Sequence, residues 1–143
     1  MGIGRFDIIA MGLLSFTMLS ACEPYRRAKE CRGISDLVNP TLRAIDTERK
    51  TKDDAPAYAR IAVLYEGLAA KLVARKYSSK RLGDAVTDYA KVLSDASRDS
   101  RAFSDAIAAK DPGRGALARA TAGHTVKREA TAHLRIESAC VSK

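Results

Sequence analysis

The sequence predicts an all-α fold, an up-down-up-down four-helix bundle, and three observations support this. Alanine, leucine, lysine and arginine are common, tryptophan is absent and runs of β-branched residues are few, a composition that favours helix. Apolar residues recur every three or four positions along four stretches, which places them on one face of each helix. The connections are short, as they are between antiparallel neighbours in bundles. A three-helix bundle with a loose end and an array of bent helical hairpins stay open as alternatives.

The first predicted helix covers about residues 24–49 and contains a proline. Pro40 removes a backbone hydrogen bond inside this stretch, so we expect helix 1 to be kinked near Pro40 or divided in two. Its apolar stripe consists of Cys31, Ile34, Val38, Leu42 and Ile45.

The two middle helices have clear start signals. Helix 2 opens at the Asp53-Asp54 cap with Pro56 in its first turn and ends near Lys76. Helix 3 is capped by Ser78 or Ser79 and extends to a sharp break at residues 111–115. Both have continuous stripes, which are Tyr58, Ile61, Ala62, Tyr65, Leu68, Ala69 and Leu72 on helix 2, and Leu82, Ala85, Val86, Tyr89, Val92, Leu93, Ala96, Phe103 and Ile107 on helix 3.

The fourth predicted helix, about residues 115–141, has the weakest stripe. Leu117 and Leu134 fall outside it, and two polar residues, Glu129 and His133, fall within it. The apolar members of the stripe are Ala118, Ala122, Val126, Ile136 and Cys140.

The amino-terminal residues have the pattern of a secretory signal. Arg5 and the amino terminus precede an uncharged run from Ile8 to Leu19. The run has about 12 residues, the length of a signal h-region, whereas a membrane-spanning helix needs roughly 20 apolar residues. A branched apolar residue, two small residues and a cysteine follow, as Leu19-Ser20-Ala21-Cys22. This predicts a signal peptide over residues 1–21 and a single helical domain over residues 22–143 with a short N-terminal tether.

The Leu19-Ser20-Ala21-Cys22 segment resembles the lipobox of bacterial lipoprotein precursors, a resemblance that covers residues 1–22. It implies a thioether-linked diacylglycerol on Cys22, cleavage before Cys22, and acylation of the new amino terminus. Two or three acyl chains anchor a protein firmly to a membrane. The next residue is Glu23 and not aspartate, which in enterobacteria-like sorting favours the outer membrane over the inner one. The alternative is an ordinary signal peptide with an incidental cysteine.

With Cys22 lipidated, Cys31 and Cys140 are left. Exported proteins fold in an oxidising compartment, where two spare cysteines commonly pair. In an up-down-up-down bundle the start of helix 1 and the end of helix 4 lie at the same end. Both cysteines also lie on the inward stripes of their helices, so we predict a Cys31–Cys140 disulfide. Two buried free thiols are the alternative.

The net charge of +8 favours contact with anionic surfaces. Outside the cytoplasm these are phospholipid headgroups, lipopolysaccharide phosphates and acidic envelope polymers, and export argues against nucleic acid. Four basic residues follow Cys22 within about ten positions, where proximity brings them near headgroups. We therefore predict membrane-surface contact by Arg26, Arg27, Lys29 and Arg32. A hydrophilic tether is the alternative reading.

No constellation of residues specifies a reaction, a metal or a cofactor. His124 and His133 lie on opposite sides of helix 4, and the pair Glu129 and His133 supplies two ligands where zinc needs three or four. We expect that pair to form a structural hydrogen bond. Asp84 and Asp88, and likewise Asp95 and Asp99, have the spacing of carboxylate pairs in bundle metal sites, but they flank the apolar stripe and basic residues surround them, which favours a solvated face.

The expected function is therefore a non-enzymatic, membrane-anchored envelope lipoprotein that acts as a helical binding or scaffold module. The alternative is a periplasmic ligand-binding or chaperone-like protein for metal or an acidic polymer. A protein partner is expected at the two distal loops, near residues 50–56 and 110–115, which point away from the anchored end.

Overall fold

Four helices build the part of the chain that the structure, a computed structural model, describes. The backbone is described for residues 10–51 and 54–141, and the side chains for residues 23–50 and 54–141. The helices are α1 (Ala10–Thr51), α2 (Ala55–Val73), α3 (Lys80–Ala108) and α4 (Pro112–Val141), and these ranges contain no strand. The predicted all-α bundle is confirmed. None of the described helices is long and apolar enough to cross a membrane.

α1 passes through both Pro24 and Pro40 without interruption, so helix 1 is not divided in two. Pro40 lies on the exposed face of α1, away from the stripe that packs on the bundle. Ile34, Val38 and Ile45 are buried on either side of it, and this packing holds the helix together across the missing hydrogen bond.

The caps of the middle helices follow the predicted chemistry. The Asp54 carboxylate accepts a hydrogen bond from the Ala57 N–H at 2.9 Å, and the Ser79 hydroxyl accepts one from the Leu82 N–H at 3.4 Å. Asp53, the other predicted cap residue of α2, lies outside the described residues. Each side chain satisfies a backbone donor that the first helical turn leaves without a partner.

The predicted break at residues 111–115 is wrong in its extent, because α4 already begins at Pro112. The Asp111 carboxylate accepts a hydrogen bond from the Arg114 N–H at 3.0 Å, so Asp111 caps the helix and Pro112 occupies its first turn. Reversal of the chain is completed before that point. Lys110 adopts a left-handed conformation with φ of 53°, which ends α3.

The core lies mainly between α2 and α3. α1 packs on α2, α2 on α3, and α3 on α4, whereas α1 and α4 make few close backbone contacts. The largest fully buried side chains are Tyr89, Ile61, Leu68, Leu72, Leu82, Leu93, Val38 and Val86. The seam between α1 and α4 is therefore the loosest of the bundle.

The predicted stripe of α4 is wrong at Val126, which is 51% exposed. The neighbouring Thr125 is buried in its place, and Ala118, Ala132, Ile136 and Ala139 complete the buried face. Four of these positions repeat every seven residues with alanine or threonine. Small side chains there let α4 approach α3 closely. Because Thr125 is polar, an apolar pattern in the sequence does not identify it as a buried position.

Candidate functional site

The structure joins Cys31 of α1 and Cys140 of α4 in a disulfide, as predicted, with Cα atoms 6.0 Å apart. That separation is typical of disulfides. The bond links the two helices that otherwise pack loosely, and it marks one end of the bundle. The side chain of Cys22 lies outside the described side chains. We call the opposite end, where α1 is connected to α2 and α3 to α4, the distal end.

The predicted surface cluster lies in a helical segment of α1. Arg26, Lys29 and Arg32 are exposed, Arg27 is half-buried, and Arg26 Nε lies 3.6 Å from Glu30 Oε1. The segment continues directly into the bundle, so these four residues are carried on the same helix as Cys31.

The α2–α3 connection lies beside this cluster because Glu30 binds it. The Glu30 carboxylate accepts hydrogen bonds from the Ser78 N–H at 3.0 Å and from the Ser78 hydroxyl at 2.9 Å. The helix patterns did not predict further basic residues at this end. The fold adds four exposed ones there, which are Arg75, Lys76, Lys80 and Arg81.

A groove of about 230 Å³ opens in the distal half of the bundle. It lies between α2 and α4 over α3, and α1 contributes Arg49 from its last turns. Its apolar side chains include Tyr58, Tyr65, Phe103 and Val126, and its charged side chains are Arg49, Asp99, Arg119 and Glu129. Larger concave surfaces of about 420–560 Å³ lie along α3 and α4, but this groove is lined by side chains from all four helices.

An aromatic pair forms part of the groove wall. The rings of Tyr58 and Phe103 meet edge to face with their centroids 4.5 Å apart. The guanidinium carbon of Arg119 lies 5.3 Å from the Phe103 centroid, within the range of a cation–π contact. The pair therefore offers apolar area next to a positive charge.

A half-buried carboxyl group lies at the inner side of the groove. The Tyr89 hydroxyl lies 3.5 Å from Glu129 Oε1, and Arg49 donates a hydrogen bond to the Tyr65 hydroxyl at 3.1 Å. Burial raises the pKa of Glu129, although Arg49, the Tyr89 hydroxyl and His133 partly oppose this effect. Burial also raises the pKa values of both tyrosines, and the Glu129 charge adds to it.

The expected hydrogen bond between Glu129 and His133 is wrong. His133 Nε2 lies 3.3 Å from Glu137 Oε1, one turn further along α4, and Glu129 instead faces Tyr89. The His133 ring meets the Tyr89 ring at 5.9 Å between centroids. Tyr89 of α3 therefore contacts both Glu129 and His133, and these two residues of α4 do not bind each other.

The aspartates of α3 are only in part the solvated face that the sequence predicted. Asp84 is exposed and pairs with Lys80, but Asp95 and Asp99 are half-buried and bind α4. The Thr125 hydroxyl donates to Asp99 Oδ2 at 2.5 Å, and Arg128 lies 2.8 Å from Asp95. Burial favours a higher pKa for Asp95, but hydrogen bonds from Arg128 and Arg98 outweigh it and lower that pKa. These contacts tie α4 to α3.

Among the residues described, no group of three or more histidine, cysteine, aspartate or glutamate side chains could hold a metal ion. Comparisons with protein-family models, with curated proteins and with solved structures find no match to this chain. The functional argument therefore depends on the residues themselves.

Sequence reasoning missed the groove because its residues come from four helices. Tyr58 and Phe103 belong to the apolar stripes predicted for helices 2 and 3, and Arg49 lies at the predicted end of helix 1. One signal was present, since Glu129 is an acidic residue inside an apolar stripe. A carboxyl group on an inward face needs either a partner or a cavity.

Proposed function

We propose that the chain is the precursor of a non-enzymatic, lipid-anchored protein of the bacterial cell envelope, whose helical bundle is a binding module with the groove as its binding surface. The single observation that carries this proposal is the Cys31–Cys140 disulfide. The chain has three cysteines, so this pairing leaves Cys22 without an intrachain disulfide partner. Disulfides persist in oxidising compartments, which supports export.

The lipobox resemblance gives Cys22 its role in this proposal. The thiol accepts diacylglycerol, the signal is removed, and the new amino terminus is acylated. Glu23 favours the outer membrane as the destination. The basic cluster of Arg26, Arg27, Lys29 and Arg32 then lies close to the headgroups, and the groove, in the distal half of the bundle, faces away from them.

The test is the mass of the mature amino terminus. The full chain is expressed in a Gram-negative host, the membrane fraction is isolated, and the amino-terminal peptide is analysed by mass spectrometry. We expect a peptide that begins at Cys22 and carries the mass of a diacylglycerol and a further acyl group. Cys22→Ser should lose this mass and the membrane association.

The matched control is the double variant Cys31→Ser with Cys140→Ser, which lacks the disulfide and keeps the lipobox. It should retain the acyl mass on Cys22. A mature wild-type chain that begins elsewhere, or a Cys22 without lipid, would overturn the proposed anchoring.

A further inference from the structure

The α2–α3 turn, residues 74–79, is held against α1 at the disulfide end of the bundle. Besides the hydrogen bonds from Ser78 to Glu30, the Arg75 guanidinium lies directly over Gly33 of α1. A Cβ at position 33 would lie 2.5 Å from Arg75 Nη1, so glycine leaves the room that the guanidinium occupies. The turn and the basic cluster of α1 therefore form one continuous surface. We call residues 23–33, 73–84 and 137–141 the disulfide-end surface.

The disulfide-end surface has an excess of positive charge. Glu30 is already bound by Ser78, and Asp84 pairs with Lys80, whereas the two cations of the turn form no ion pair with any described residue. Even with every acid counted, basic side chains outnumber acidic ones by eight to four, so the surface favours an anionic partner. The basic side chains are Arg26, Arg27, Lys29, Arg32, Arg75, Lys76, Lys80 and Arg81, and the acidic ones are Glu23, Glu30, Asp84 and Glu137.

Exposed apolar side chains accompany these charges. Tyr25, Val73 and Val141 are 76%, 56% and 81% exposed, and they lie on three different helices of the disulfide-end surface. Tyrosine is typical of the boundary between water and a bilayer because its ring is apolar and its hydroxyl is polar. A small anion would meet only the basic groups, whereas an anionic phospholipid surface meets both kinds of side chain.

The turn lies close enough to the basic cluster to share its membrane surface. Arg26 precedes Glu30 by four residues, which is about 6 Å along a helix axis, and Glu30 binds the turn. The electrostatic screening length is about 8 Å at physiological salt. The cations of the turn therefore remain within electrostatic reach of a surface that the basic cluster touches.

We infer that the α2–α3 turn is a second membrane-contact element, so that the bundle stands with its disulfide end on an anionic phospholipid surface and with Arg75 and Lys76 among the headgroups. This deepens the proposed function, on which it rests for the lipid that brings this end to the membrane. Contact by the basic cluster alone would instead leave the bundle free to tilt until the turn is away from the bilayer.

The test uses a tryptophan reporter, since the chain has no tryptophan of its own. Val73→Trp places the reporter beside the turn, and Leu117→Trp, at an exposed position near the distal end of α4, is the matched control. The mature proteins are bound to phosphatidylglycerol vesicles with brominated acyl chains, which quench tryptophan at the bilayer. We expect quenching and blue-shifted emission for Val73→Trp and neither for Leu117→Trp. Equal quenching at the two positions, or none at position 73, would overturn the inference.

A change of lipid tests the selection by charge. In brominated phosphatidylcholine vesicles, which carry no net charge, Val73→Trp should be largely unquenched. Equal quenching in the two lipids would show that the turn meets the bilayer without regard to charge, and the inference of an anionic surface would be wrong.

A pair of charge variants assigns the contact to the turn. Arg75→Gln with Lys76→Gln, in the Val73→Trp background, should lower the ratio of seated to unseated protein at least tenfold, since each basic residue near an anionic surface strengthens association about fivefold. Arg43→Gln with Lys50→Gln lowers the net charge equally at exposed positions of α1 outside the surface and should leave the quenching unchanged. Equal losses in the two variants, or no loss in either, would overturn the role of the turn.

The lipid on Cys22 and the seating of the turn are tested separately. The acyl mass is read from the amino-terminal peptide, and the quenching is read from the reporter at position 73. A mature protein without acyl chains is mixed with the same vesicles, and the quenching decides as before because it depends on contact and not on the anchor. Quenching without lipid would overturn the anchoring alone, and lipid without quenching would overturn the seating alone.

Discussion

Cys31 and Cys140 are 109 residues apart in the sequence, and their disulfide joins the first packed turn of α1 to the last turn of α4. Those two helices make few other close contacts, so the bond closes a bundle that side-chain packing leaves open on one side. The groove lies toward the distal end, between α2 and α4, and Arg49 of α1 is part of its lining.

Removal of the disulfide should destabilise the domain strongly. Closing a loop of this length lowers the entropy of the unfolded chain, which the chain-entropy model values at about 4–5 kcal/mol. We expect reductant, or Cys31→Ser with Cys140→Ser, to lower the free energy of unfolding by an amount of this order in urea titrations. Reductant should have no effect on the double variant. A loss below about 1 kcal/mol would contradict the entropic argument.

Replacing Thr125 should lower the free energy of unfolding more than replacing Thr121, one turn earlier on α4. Thr125→Val keeps the shape but leaves Asp99 without the hydroxyl that it accepts, at an expected cost of about 1.5–3 kcal/mol. Thr121→Val is the control, because its exposed hydroxyl donates only to the Leu117 carbonyl of its own helix. Chemical unfolding measures both changes, and equal losses would show that the bond to Asp99 contributes little.

Glu129 should give the domain a distinct pH dependence. Burial raises its pKa above the usual 4.5, so the folded state binds more protons than the unfolded state between the two pKa values. The contribution of this group is present below about pH 4.5, and the free energy of unfolding falls as the pH rises through the folded pKa. Glu129→Gln should remove this slope and stabilise the domain at neutral pH.

The measurement for Glu129 is a series of urea titrations between about pH 4 and 7, the range in which a raised carboxyl pKa acts. Asp105→Asn, an exposed position on α3, serves as the control and should keep the wild-type slope. An unchanged slope in Glu129→Gln would show that other groups cause it.

Lys110 holds a strained backbone conformation that glycine should relieve. Its φ is 53°, and left-handed conformations cost residues with a Cβ roughly 1 kcal/mol. Lys110→Gly should therefore raise the melting temperature by a few degrees. The adjacent Ala109 has a right-handed conformation with φ of −78°, so Ala109→Gly should not stabilise. Stabilisation by both changes, or by neither, would rule out strain at Lys110.

The basic cluster should bind anionic membranes even without lipid. The domain from residue 22 onward with Cys22→Ala is titrated with phosphatidylglycerol vesicles at low salt. Each basic residue near such a surface contributes roughly 1 kcal/mol, so replacing Arg26, Arg27, Lys29 and Arg32 by glutamine should weaken binding at least tenfold.

The control for the membrane experiment replaces four basic residues away from the cluster, Arg43, Lys50, Lys110 and Arg114, and lowers the net charge equally. It should retain most of the binding. Equal losses in the two variants would show that net charge alone drives the binding and that the basic cluster has no special role in it.

The residue patterns along single helices were enough to predict most of the fold. The stripes of helices 2 and 3 predicted the core around Leu68, Leu82 and Tyr89, because residues on one face of a regular helix must be buried together. Asp54 and Ser79 marked helix starts by local hydrogen bonding, which needs no distant partner. The pairing of Cys31 with Cys140 followed from bundle topology once the number and order of helices were fixed.

Only the tertiary structure decided how the helices are rotated and what their polar residues meet. Thr125 is buried where Val126 was expected, because its hydroxyl finds Asp99 on α3 and the local pattern contains no information about that partner. Glu129 faces Tyr89 and not His133 for the same reason.

The groove brings Arg49, Arg119 and the Tyr58–Phe103 pair together from four helices. The sequence by itself determined the helices, their inward faces and the cysteine chemistry, since these depend on neighbours within a few turns. The site depends on distances between helices, which are set by the packing of all of them at once.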